Sequence, residues 1–367
     1  MAVKVIISGG GTGGHIFPAI SIANAIRALK PDADILFVGA EGKMEMEKVP
    51  AAGYRIVGLP VAGFQRKLTF KNVTFFFKLI ASLLKARKVI SQFKPDAVVG
   101  VGGYASGPVL RQATNSGIPC LIQEQNSFPG VTNRILSGKV AKICVAYSGM
   151  ERFFPASKIV FTGNPVRQDL LNPVDREEAA RFFGLDAAKP VILVIGGSLG
   201  ARSINNGIAA SLGSLKPDVQ LVWQTGKLYH AEMLEKAEGM ALPNLRVFDF
   251  IQRMDLAFGL ADVVISRAGA SSISELAVLG KAAIFVPSPN VSEDHQTKNA
   301  QAMVGEGAAL MVPDAQANTL IGVAQDLLCD GVKINKLGQR IRDFARPDAA
   351  RDIALEVLQL IERDDRN

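Results

Sequence analysis

Ser8-Gly9-Gly10-Gly11-Thr12-Gly13-Gly14-His15 stands between the apolar run Val3-Lys4-Val5-Ile6-Ile7 and an apolar-periodic segment from Phe17 to Leu29. That order is strand, glycine turn, helix. Glycine has no Cβ, so the backbone of such a turn can come close to a ligand. The helix behind it aims unpaired N–H groups and a partial positive charge at the same place, which makes an anion the expected guest. His15 adds an ionisable group at the mouth of the turn. Three readings compete. Gly9, Gly11 and Gly14 satisfy the dinucleotide pattern G-x-G-x-x-G, whose ribose-binding acid would have to be Glu41. The glycines could serve only close helix–strand packing. Or the turn is a sugar-phosphate or lipid-pyrophosphate site with His15 as a base.

The chain around this turn has 367 residues, which suits two domains, and 48% of them are hydrophobic. Aromatic residues are sparse, so no stacking platform for nucleic acid is expected. The net charge of +7 favours anionic partners. Cys120, Cys144 and Cys329 are scattered and odd in number, which fits a reducing compartment and neither a disulfide framework nor a metal cluster. No signal peptide or spanning helix is expected.

Outward from the first turn, strand-like runs alternate with helical patterns at Ile35–Val38, Tyr54–Gly58, Ala97–Gly100, Cys120–Gln123, Ile143–Val145 and Ile159–Phe161. This alternation predicts a parallel sheet covered on both faces, with ligands beyond the carboxyl ends of the strands. Gly102-Gly103-Tyr104-Ala105-Ser106-Gly107-Pro108 and Glu124-Gln125-Asn126 both follow strands and join the first turn on that rim.

From Lys48 to Phe93 there is no acidic residue, while Lys67, Lys71, Lys78 and Lys85 alternate with Phe64, Phe75, Phe76, Phe77 and Leu79. As a helix, Lys71, Lys78 and Lys85 share one face, and Phe76, Leu79, Ile80 and Leu83 share another. Two readings are open: an anionic membrane surface as partner, or a core-facing crossover helix with a solvated side.

After the turn Thr162-Gly163-Asn164-Pro165-Val166-Arg167 the architecture repeats. Val191–Ile195 leads into Gly196-Gly197-Ser198-Leu199-Gly200-Ala201, which matches a serine-hydrolase elbow and, with fewer requirements, a phosphate-binding turn. Strands are expected at Leu221–Gln224, Leu245–Phe248, Val263–Ser266 and Ala283–Pro287. Arg267-Ala268-Gly269-Ala270-Ser271-Ser272-Ile273-Ser274-Glu275 runs from strand into helix; Glu275 could accept from ribose hydroxyls or favour the helix dipole. Glu293-Asp294-His295-Gln296-Thr297-Lys298-Asn299-Ala300 is a sugar-binding loop or a helix start capped by Asp294. An amphipathic helix from Ala349 to Arg363 ends the chain.

As an ordered set, the motifs at 10–15, 102–108, 124–126, 163–167, 196–201, 267–275 and 294–300 resemble the MurG family, the N-acetylglucosaminyltransferases of bacterial peptidoglycan synthesis in glycosyltransferase family 28. The resemblance spans nearly the whole chain. It implies an α/β GT-B fold: two Rossmann-like parallel-sheet domains with a cleft between them, 1–163 for acceptor and membrane docking, 164–345 for UDP-GlcNAc, and a helix at 346–367 packing back on the first. It implies an inverting transfer of GlcNAc from UDP-GlcNAc to the MurNAc C4 hydroxyl of undecaprenyl-pyrophosphoryl-MurNAc-pentapeptide (lipid I), giving lipid II, without cofactor or metal. The expected place is the cytoplasmic face of the inner membrane, as a peripheral protein beside other cell-wall synthesis proteins, in a role tied to cell shape and division.

Carried over by motif, Ser198 holds UDP phosphate, Ala270, Ser271, Ser272, Ile273 and Ser274 take the α-phosphate, Glu275 the ribose, and Ile251 the uracil through its backbone. Gln296 and Asn299 read the GlcNAc; His295 stands where some relatives carry glutamine. Thr12, Gly13, Gly14, Asn126 and Arg167 close on donor and acceptor from the other side, and Gly11, Gly103, Tyr104 and Ser106 face the lipid pyrophosphate. The membrane patch comprises Lys67, Lys71, Phe75, Phe76, Lys78, Leu79 and Lys85. His15 is the candidate base, because histidine titrates near neutral pH; acceptor binding is its other role. A glycolipid glycosyltransferase using another acceptor, a nicotinamide-dependent enzyme and a non-catalytic nucleotide-sugar binder are the rival functions.

Overall fold

The computed structural model describes residues 2–61, 71–197, 199–291 and 294–364, and the side chains of all of these except 71–76, 169 and 364. The chain forms two compact units, residues 1–166 with 346–367, and residues 167–345.

The first unit runs β1 (Lys4–Gly9), α1 (Gly13–Leu29), β2 (Asp34–Ala40), α2 (Glu45–Ala51), β3 (Arg55–Leu59), α3 (Lys71–Phe93), β4 (Ala97–Gly102), α4 (Ser106–Asn115), β5 (Cys120–Glu124), α5 (Val131–Leu136), β6 (Lys142–Val145) and β7 (Ile159–Phe161). The seven strands are parallel in the order β3-β2-β1-β4-β5-β6-β7. The unbroken apolar strand runs follow from burial on both faces. Alternate residues point to opposite sides: Val5, Ile7, Val99 and Val101 enter one core, with Ile16, Ile22 and Ile26 of α1. Ile6 and Val98 enter the other, with Ala86 and Ile90 of α3 and Val109 and Leu110 of α4.

The second unit runs α6 (Arg176–Phe183), β8 (Val191–Ile195), α7 (Arg202–Ser211), β9 (Gln220–Gln224), α8 (His230–Glu238), β10 (Leu245–Phe248), α9 (Met254–Leu260), β11 (Val263–Ser266), α10 (Ala270–Leu279), β12 (Ala282–Phe285), α11 (His295–Gly305), β13 (Leu310–Met311), α12 (Leu320–Leu328) and α13 (Gly331–Arg342). Its six parallel strands lie in the order β10-β9-β8-β11-β12-β13. Trp223 is wholly buried there, and its indole N–H donates to Asn205 at 3.1 Å. The chain then returns to the first unit as α14 (Ala349–Asp364), whose Ile353, Ala354, Val357, Leu360 and Ile361 join the α1 side of that core.

Strand order reverses between β1 and β4 in the first sheet and between β8 and β11 in the second. Such switch points open a crevice at the carboxyl ends of the strands, and the glycine turns of each unit lie there.

Candidate functional site

In the first unit the turns after β1 and β4 lock together. Gly10, Gly11, Gly102 and Gly103 all have positive φ. A Cβ on Gly103 would strike the carbonyl oxygen of Gly10, and one on Gly102 would lie 2.9 Å from Nε2 of His15. Thr12 accepts from the backbone N–H groups of His15 and Ile16, and its hydroxyl lies 3.2 Å from Nδ1 of His15. The ring is therefore held through Nδ1, with Nε2 at the second glycine turn. Beneath the first turn sits Glu45, wholly buried, accepting from Gly11 N at 3.0 Å and Ala40 N at 2.9 Å. Glu41, the acid the dinucleotide reading needed, instead pairs with Lys85 at 2.7 Å. Ser106 is buried and donates to Gly103 O at 3.1 Å, while Tyr104 is 57% exposed.

Asn126 is set by Glu124, which is buried and accepts four N–H groups: the Asn126 backbone and side chain, Gly130 N and the Asn133 amide. Burial pushes the Glu124 carboxyl above the usual range, and those four bonds pull the other way. Asn164 ties Gln123 to the Gln125 carbonyl, at 3.0 Å each.

In the second unit, Gln224 joins two expected contacts. Its amide donates to Gly197 O at 3.2 Å in the phosphate turn and accepts from Ile251 N at 2.8 Å. Ile251 is buried, and its backbone N–H is fixed by Gln224. Gly200 and Gly226 back onto each other: a Cβ on Gly226 would lie 2.5 Å from Gly200 N. Ser198 lies outside the described residues.

Helix α10 starts at Gly269 with no side-chain cap, so its first N–H groups face the rim. The Ser271 hydroxyl is shielded from solvent and, among the described residues, has no hydrogen-bond partner. A buried hydroxyl left unbonded is costly, and a ligand oxygen placed there would satisfy it. Ser274 donates back to Ala270 O at 3.0 Å. One turn further, Glu275 accepts from Arg167 Nε at 3.0 Å, both side chains being largely buried. Arg167 begins the second unit, where its partner is Glu275 of α10. Gln296 accepts from Ser288 N at 2.9 Å; Asn299 is wholly buried and donates to Ala268 O at 3.4 Å, bracing the turn before α10. A helix does start at His295, but Asp294 makes no backbone cap and accepts from the Thr297 hydroxyl at 2.6 Å.

On α3, Phe77, Ile80 and Leu84 form an exposed stripe, 71%, 55% and 64% accessible, beside exposed Lys78, while Ser82, Ala86 and Ile90 face inward. Leu79 and Lys85 are half-buried. Lys67 lies outside the described residues, and of Lys71, Phe75 and Phe76 only the helical backbone is described. On α5, Val131 and Ile135 are exposed as well. Among the described residues no helix is long and apolar enough to cross a membrane.

Comparison with known proteins finds relatives over nearly the full length of the chain. The Glycosyltransferase family 28 N-terminal domain matches residues 5–145 and the Glycosyltransferase family 28 C-terminal domain residues 191–350. The UDP-N-acetylglucosamine--N-acetylmuramyl-(pentapeptide) pyrophosphoryl-undecaprenol N-acetylglucosamine transferase of Bacteroides fragilis is 58% identical, over 99% of this chain and 97% of the relative. The protein of the same name from Flavobacterium psychrophilum is 53% identical, over 98% of each. The crystal structure of Acinetobacter baumannii MurG superposes with a TM-score of 0.77 at 30% identity, covering 97% of this chain and 99% of that one.

Proposed function

This chain belongs to glycosyltransferase family 28, and on that premise we propose that it transfers GlcNAc from UDP-GlcNAc to the MurNAc C4 hydroxyl of lipid I, forming lipid II in peptidoglycan synthesis. The observation that carries the donor half is the start of α10: an uncapped helix N-terminus, the orphaned Ser271 hydroxyl and the Arg167–Glu275 pair one turn on.

In this reading the α10 amides, with Ser271 and Ser272, hold the α-phosphate. Arg167 holds Glu275 in position, so that its carboxylate accepts from the ribose hydroxyls. Gln224 ties the Ile251 backbone, which meets the uracil, to the glycine turn that takes the phosphate. Gln296 reads the sugar, and Asn299 shapes the turn from below. In the first unit the paired glycine turns bind the acceptor pyrophosphate, with Thr12, Gly13, Gly14 and Asn126 around the reacting groups.

The chemistry is an in-line displacement at the sugar C1. The acceptor oxygen forms its bond to C1 as the C1–O bond to UDP breaks, and the acceptor proton goes to His15. That requires the tautomer in which Nδ1–H donates to Thr12 and Nε2 carries the lone pair. The diphosphate leaves with the charge it gained, and fixed amide dipoles stabilise it without reorganising.

The exposed apolar stripe of α3, beside exposed Lys78, suits the surface of an anionic membrane, where the lipid substrate resides. The test of the function is transfer of radiolabel from UDP-GlcNAc to a short-chain lipid I analogue in the presence of EDTA. Labelled disaccharide lipid is the expected product; UDP-GlcNAc bound without transfer overturns the reading.

A further inference from the structure

The second unit carries a cavity at the edge of its sheet opposite to the α10 start. It opens where β8, β11 and β12 begin, at Lys189, Asp262 and Lys281, with a volume of about 570 Å³. That size suits a small molecule. Five residues of β8 separate it from the glycine turn, about 16 Å at 3.3 Å per residue. It is therefore a different place from the donor site.

Its walls carry four cations, Arg176, Lys189, Lys281 and Arg342, against one carboxylate, Asp262. That carboxylate is already spent: it takes two bonds from Arg176, at 2.9 and 3.2 Å, and one from Val191 N at 2.8 Å. Arg176 in turn donates to the carbonyls of Ala187, Lys189 and Leu260. These two groups are structural. Among the described residues, the hydrogen-bond partner of Lys281 is a backbone group, the Ala261 carbonyl at 2.8 Å, and Arg342 lies against Gly280 at the end of α10. The helix end offers only about half an elementary charge to offset them. Along α13, Asn335, Gln339 and Arg342 fall at i, i+4 and i+7, so two amides and a guanidinium face the cavity together.

We propose that this cavity is a binding site for a small phosphate monoester, its phosphate held between Lys281 and Arg342 and its hydroxyl groups by Asn335 and Gln339. A dianion supplies the charge these side chains lack, and the amides suit the polar remainder of an ester better than bare phosphate. Burial, with the Arg176 and Arg342 guanidinium groups adding to it against the pull of Asp262, brings the Lys281 ammonium down to about 8. An anion bound beside it reverses that shift, so binding at pH 8 draws in a proton.

The test is calorimetric titration of the full chain with glycerol 3-phosphate at pH 8, in two buffers of different ionisation heat. Saturable binding below about 1 mM and uptake of about half a proton per site are expected. Lys281→Met and Arg342→Gln should each weaken it at least tenfold and leave UDP affinity unchanged; the second alters an exposed side chain and keeps the test open if the first fails to fold. No binding, or binding that both variants leave intact, overturns the proposal. Equal affinity for inorganic phosphate overturns the role given to the amides.

Discussion

Gly103→Ala tests whether the two glycine turns of the first unit form one rigid rim. Gly103 sits at φ +84°, where an L side chain costs about 1–2 kcal/mol. The added Cβ would also meet Gly10: its carbonyl oxygen in hard collision, its N and C atoms at 3.1 Å. Those are backbone atoms and cannot swing aside, so the turns must part by roughly 1 Å to restore van der Waals contact. Such a shift of the rim that carries His15 should cost about 100-fold in kcat/KM. A total strain of about 2–3 kcal/mol lowers Tm by roughly 4–10 °C. UDP affinity should not change, because the donor motifs belong to the other unit. Gly117→Ala is the control: φ is +75° there, but a Cβ meets open space, so backbone strain appears without collision and activity stays full. Steady-state kinetics on the folded variants decides the matter. If Gly103→Ala keeps activity within threefold of the parent, the two turns are not a mechanical unit and the argument fails.

His15→Ala should lower kcat by about 100-fold or more while UDP-GlcNAc affinity holds, read from turnover and a binding titration; unchanged turnover removes the imidazole from the chemistry. Glu275→Gln should raise KM for UDP-GlcNAc by about 10–100-fold, the worth of one charged hydrogen bond, and should erase discrimination against a 2′-deoxy donor; retained discrimination would clear Glu275 of ribose contact. Replacing Phe77, Ile80 and Leu84 together by serine should abolish co-sedimentation with anionic vesicles and spare turnover of a water-soluble acceptor, whereas undiminished sedimentation would move the docking face elsewhere. Lys281→Met gives a pH signature. A lysine held at about 8, against 10.5, burdens the fold while charged, fully below about 8 and not at all above 10.5. The burden is at most about 3 kcal/mol, less about 1 for the lost bond to Ala261. Denaturant melts should show the variant more stable at pH 7 and the advantage gone by pH 10.5; a variant weaker at both pH values contradicts the sign.

The rims were legible because each is a local pattern: an apolar run buried on both faces, glycines where the backbone turns, then helical spacing. His15, Gly103 and Glu275 fall in such patterns. The residues that hold the rims in shape do not. Glu45 looks like any acid in a short amphipathic helix, and its importance comes from pairing with Gly11, 34 positions away. Gln224 ends a strand without a motif, yet it joins Gly197 to Ile251. Arg167 sits in a motif, but which unit it serves depends on tertiary contact with Glu275. On α3 the helical period could be read, but with apolar residues on two stripes the inward one could not; Ile80, grouped with a single apolar face by spacing, is exposed. The short β13 has too few residues to leave a signal.

Because α14 completes the hydrophobic core around α1, the half of the protein that a ribosome makes first is the half that finishes folding last. Its apolar seam stays uncovered while about 180 further residues are translated, roughly 10–40 s at ordinary elongation rates. Over that interval the second unit can already be native, so a nascent chain stalled before Ala349 should carry one folded half and one still in need of a chaperone.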